Sequence, residues 1–141
     1  DNANSHSIVM SLKFMDFDLL LTGDMEGIGE EQVTKEIEEA RQAANSKTEE
    51  ENADTEIPLR YDVLKVAHHG SKNSTGSEFL KAVAPSYSII SCGIGNSYGH
   101  PHKETLDRLM EYGSKILQTP QGGAITIITD GKKMRMIQYL K

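Results

Sequence analysis

Three short stretches of this 141-residue chain carry side chains that can do chemistry, and glycine punctuates each one. The first is Thr22-Gly23-Asp24. A carboxylate just after an apolar run, behind a glycine that lets the backbone turn sharply, can aim both oxygens into a cleft and bridge two metal ions. The competing reading is that Asp24 caps the helix that follows. The second stretch is His68-His69-Gly70-Ser71. A strand continued through both histidines points their rings to opposite faces, so only one reaches a cleft and the other supports it or meets the backbone. Imidazole near a carboxylate suits Zn, Mn or Fe; the plainer alternative is a pair of loop histidines that bind nothing. The hydroxyls of Ser71, Ser74 and Thr75 weigh towards a site. The third stretch is Tyr98-Gly99-His100-Pro101-His102. Here Pro101 can start a helix and leave His100 at its mouth, where free N–H groups favour an anion and His100 can donate a hydrogen bond or a proton. Alternatively, His100 or His102 stands in for an ordinary cap. Other chemistries fare worse. No Gly-x-Ser-x-Gly elbow accompanies Ser71, Ser74 or Cys92, no phosphate-binding P-loop is present, and Gly93-Ile94-Gly95 lacks the third glycine of a dinucleotide fingerprint.

These residues need a scaffold, and the hydropathy pattern predicts one. Apolar residues at Ile8, Met10, Leu12 and Phe14 alternate as in a half-buried strand, and Leu19 to Thr22 is a continuous apolar run suited to a central strand. Glu30 to Ala44 reads as a helix with a narrow apolar stripe on Val33 and Ile37. Asn45 to Glu56 reads as a mobile acidic surface insertion. A strand over Tyr61 to Ala67 then runs straight into His68, Ser74 to Ser77 looks like a helix cap, and Glu78 to Ala84 a short helix stopped by Pro85. Tyr87 to Ser91 is β-rich, and Lys103 to Tyr112 is helical with Gly113 as its C-cap. Strands over 115–119, 123–129 and 132–139 close the chain, the last two joined by Asp130-Gly131, a hairpin signal. The result is an α/β, α+β layered domain with a mixed sheet and about three helices on one face. Its strands at Asp24, His68 and Cys92 all empty into loops rich in Gly, His and Asp.

The single cysteine, Cys92, excludes an internal disulfide framework and a zinc–thiolate cluster. The net charge of −6 argues at face value against nonspecific nucleic-acid binding. The charge is uneven, however. Between Glu26 and Glu56 eleven carboxylates face three cations, a local −8 that leaves +2 for the remainder. Lys65, Lys72 and Lys103 lie near the proposed site.

In order, Leu21-Thr22-Gly23-Asp24, the run Asp62 to Ser71 with Ser74, and Ile90-Ser91-Cys92-Gly93 with Asn96 and Tyr98-Gly99-His100-Pro101-His102 resemble a known family. They look like the C-terminal half of a metallo-β-lactamase-fold hydrolase of the ComEC/Rec2 DNA-uptake branch. The resemblance spans nearly the whole chain outside 30–60. It implies half of a four-layer αββα sandwich with two divalent metal ions, Zn or Mn, at one edge. Asp24 matches the bridging aspartate, His69 (with His68 as the alternative) the last ligand, and His100 a substrate-side group joined by Ser71, Ser74 and Asn96. The chemistry that the resemblance implies is attack of a metal-activated water on a phosphodiester, with nucleic acid as the leading substrate class.

The main departure is that the family's His-x-His/Asp-x-Asp-His cluster is absent. The resemblance therefore implies that an N-terminal half is missing, that this chain alone holds metal partially or not at all and is inactive, and that it pairs through an exposed apolar sheet face with that half or with a second copy. A lactone or other small-ester hydrolase of the same fold, and a non-catalytic module binding DNA or a partner protein through a decayed site, are the competing functions. The compartment is open, with an extracellular or membrane-associated parent as one expectation.

Overall fold

The computed structural model describes residues 3–45, 58 and 60–140. The expected insertion over 45–56 falls almost wholly outside them. A short 3-10 helix over Ala3–His6 precedes β1 (Met10–Phe14) and β2 (Phe17–Leu21). Next come α1 (Ile28–Asn45), β3 (Val63–Lys65), a 3-10 turn over Ala67–Gly70, α2 (Ser77–Val83) and β4 (Tyr87–Ile90). The chain finishes with α3 (Lys103–Glu111), β5 (Lys115–Gln118), the single turn α4 (Thr119–Gly122), β6 (Ile125–Thr129) and β7 (Met134–Gln138). Five strands form one sheet in the order β1-β2-β3-β4-β5, and β6-β7 is a separate hairpin. β1 is antiparallel to β2, while β2, β3, β4 and β5 run parallel. The α/β, α+β layered reading with a mixed sheet thus holds. Among the described residues no helix is long and apolar enough to cross a membrane.

Strand periodicity divides the sheet into two unlike faces. Leu20, Leu64 and Ile90 point to one side and join a buried cluster with Ile37 of α1, Phe79, Leu80 and Val83 of α2, and Leu109 of α3. The other side begins with Met10, Leu12 and Phe14, paired in register with Leu21, Leu19 and Phe17. All of β1 is exposed. The hairpin tip reaches this edge, since Asp16 N donates to Gly131 O at 2.8 Å.

Several local expectations are corrected. The strand leading to the histidines stops at Lys65, and His68 and His69 lie in a left-handed turn with φ of 44° and 55°. The rule that strand neighbours face opposite ways therefore does not govern them. Helix α2 has Gly76 at its N-cap and no side-chain cap; instead the Glu30 carboxylate of α1 accepts Thr75 N at 2.5 Å and Gly76 N at 2.8 Å. Pro101 does not start α3, whose N-cap is His102. Helix α1 starts at Ile28, four residues beyond Asp24.

Candidate metal and phosphoester site

The parallel register brings the chemistry together. Leu21, Lys65 and Ile89 are neighbours across β2, β3 and β4, so the loops leaving these strands emerge side by side at the carboxyl edge. That edge is where ligands collect in open α/β sheets. Gly23 adopts φ +53°, and its carbonyl accepts His68 N at 3.0 Å, which ties the first loop to the second. Gly70 lets the second loop touch the third: a Cβ there would sit 2.7 Å from Pro101 Cβ, and Gly70 O accepts His102 N at 2.9 Å.

Asp24 and His69 face each other at the mouth, with Oδ1 and Nε2 3.8 Å apart and both side chains about half exposed. His69 Nδ1 lies 2.6 Å from Ser91 O. A carbonyl only accepts, so Nδ1 carries a proton, and Nε2 is the nitrogen turned towards Asp24. His68 turns inward. Its Nδ1 donates to Glu26 Oε1 at 2.6 Å, and the same oxygen accepts Ser71 Oγ at 2.8 Å. Burial pushes the Glu26 carboxyl up, but hydrogen bonds from Ser71, His68 and Asn4 together outweigh it and hold it below the usual range.

The remaining expected site residues divide by burial. Ser71 and Ser74 are buried, and the Ser74 hydroxyl is near both Ala67 O and Ser71 O, so these two serines brace the turn behind the histidines. Asn96 secures His100 from both sides: Oδ1 accepts His100 N at 2.9 Å and Nδ2 donates to His100 O at 2.7 Å. The His100 ring stands edge-on to His68, 5.4 Å between centroids, and stacks on Tyr98 at 5.8 Å and on His69 at 6.4 Å. Burial, with His102, His68 and His69 around it, pushes the His100 pKa down, so a proton there is held loosely. Lys65, beneath Asp24, donates to Val66 O at 2.9 Å; burial lowers its pKa while Asp24 pulls it back up. Lys103 is engaged by Asp107 one turn along α3.

Sequence reasoning missed Glu26, which was counted with the acidic stretch although its side chain is 8% exposed. The usable cue was its place between Gly23 and Gly27, ahead of the helical pattern. Ser91 was missed as well, because a backbone carbonyl leaves no trace in residue type.

Among the described residues no group of three or more His, Cys, Asp or Glu is arranged to hold a metal ion. Asp24 and His69 nevertheless suit a share in one: a carboxylate, and an imidazole whose far nitrogen is fixed by a carbonyl, the arrangement that orients metal-binding histidines.

No protein-family model matches the chain. It is 35% identical over 122 residues to ComE operon protein 3 of Bacillus subtilis, and 34% over 107 residues to Competence protein ComA of Neisseria gonorrhoeae. It is 32% identical over 124 residues to Recombination protein 2 of Haemophilus influenzae. These alignments take in 86%, 76% and 88% of this chain but only 13% of each relative. The chain is thus similar to one segment of much longer proteins named for competence and recombination.

Proposed function

We propose that this chain is the C-terminal half of a metallo-β-lactamase-type hydrolase domain that cleaves phosphodiesters, with nucleic acid as the substrate class, in a protein serving DNA uptake. The carrying observation is the Asp24–His69 pair, 3.8 Å apart and opening to solvent at the ends of adjacent parallel strands. The names of the relatives support a competence role, and their greater length supports a parent that supplies the other ligands. In this reading Asp24 and His69 are the two donors the chain contributes to a site for divalent ions. Such ions, when bound, supply Lewis-acid charge stabilisation and an activated water. The chain's own residues do the rest. Ser91 O sets the His69 tautomer, Glu26 and Ser71 hold His68, and Asn96 fixes His100 over the mouth, where its imidazole can hydrogen-bond a substrate oxygen.

The test is hydrolysis by the parent protein of bis-(p-nitrophenyl) phosphate and a lactone panel, with Mn or Zn. Asp24→Ala is expected to lower metal-dependent phosphodiester turnover by more than about a hundredfold, since changes one shell further out already cost about 10- to 100-fold. Turnover of lactones alone would favour the small-ester reading. Unchanged phosphodiester turnover in Asp24→Ala would remove the proposal.

A further inference from the structure

We propose that the cavity beside His69 is a nucleobase subsite, in which one unstacked base of a single-stranded nucleic acid lies on the ring stack of Tyr98 and His100. The inference rests on the phosphodiester reading and names the strand that the site takes. A cavity of about 360 Å³ opens against His69, lined also by Cys92, Gly93, Asn96, Tyr98 and His100. That volume lies at the small end of the range for ligand pockets, about 300–1,000 Å³. Three rings cross its wall in near-parallel order. Tyr98 and His100 are inclined by 23°, and His100 and His69 by 25°. The innermost ring is the one that faces Asp24.

The outer ring is 76% exposed, and Ile94 on the same loop is 79% exposed. A large aromatic stacked on a neighbouring ring yet left in water offers its open face to a second flat apolar group. Bases meet that need through their π-faces, and only where the neighbouring base has been removed, because in a duplex both faces are covered. The polar side of the cavity argues for tolerance of sequence. The Asn96 amide spends both N–H donors on Gly93 O and His100 O, so it has no donor left for a base edge.

The experiment measures binding of labelled oligomers by the 141-residue chain in metal-free buffer, which separates affinity from hydrolysis. A thymidine oligomer is compared with an abasic oligomer of equal length, for the native chain, Tyr98→Ala and Tyr98→Phe. Tyr98→Ala is expected to weaken binding of the thymidine oligomer by about tenfold. Tyr98→Phe should retain it, and neither change should alter binding of the abasic strand or of a duplex. No binding of the thymidine oligomer, no loss in Tyr98→Ala, or equal losses on the thymidine and abasic oligomers would overturn the subsite. Thymidine monophosphate bound as tightly as the oligomer would overturn the strand assignment. Either failure leaves the hydrolase reading intact, because an abasic strand still carries phosphodiesters. Conversely, loss of hydrolysis as a function would leave base-dependent binding to stand by itself.

Discussion

His68 and His69 share a left-handed backbone but serve different carboxylates, Glu26 inside and Asp24 outside. For an L-residue that conformation costs about 1–2 kcal/mol, and two in succession at one turn mark a place where geometry outranks stability. The cost yields a test at the level of one residue. His69→Ala and His69→Gly remove the same imidazole and the same bond to Ser91 O, but only glycine relaxes the backbone. Chemical denaturation is expected to show His69→Gly more stable than His69→Ala by about 1 kcal/mol, the reverse of the usual order. Equal stability, or alanine ahead, would mean that φ of 55° carries no strain here. The histidines were visible in the sequence as chemistry but not as geometry. Nothing local in Ala67-His68-His69-Gly70 asks for a left-handed turn; Gly23 O and Glu26, more than forty residues earlier, hold it there.

Between elements, the contact with the clearest pH signature is Glu30 of α1 receiving the backbone N–H groups of Thr75 and Gly76 ahead of α2. Burial raises the Glu30 pKa above the usual 4.5, although these bonds and Arg108 pull it down. The folded state therefore binds this proton more tightly than the unfolded state. The stability it contributes is full below pH 4.5 and is lost as pH rises through the raised value. Urea unfolding from pH 4.5 upward should show native stability declining relative to Glu30→Gln; a constant gap would contradict the assignment. The elements themselves were largely readable. Helix α1 was expected over 30–44 and occupies Ile28–Asn45, and the hairpin followed from Asp130-Gly131. The Glu30 clamp was not readable, because a helix end served by another helix's carboxylate has no periodic signal. Helix α4 was missed although Thr119-Pro120 put proline in its first turn.

For the molecule as a whole, the unequal faces of the sheet matter most. Met10, Leu12 and Phe14 are 46–55% exposed on the side away from the helices, an apolar stripe of the kind that marks an interaction surface. We expect the chain to self-associate through it, with sedimentation shifting as concentration rises and Leu12→Asp restoring a monomer. A native chain that stays monomeric throughout would count against that use of the face. Charge follows the same division of labour: apart from Glu26 in the Asp24 loop, the acidic excess lies in α1 and the segment after it, and the rest of the chain is net positive. The parallel ladder adds a property useful to an engineer. The separation of Asp24 from His69 is dictated by hydrogen bonds between β2 and β3, with Leu21 beside Lys65, rather than by the forty-odd residues that join them. Adding or removing residues between α1 and β3 should therefore leave the spacing of the pair as it is, a tolerance that an engineer can use.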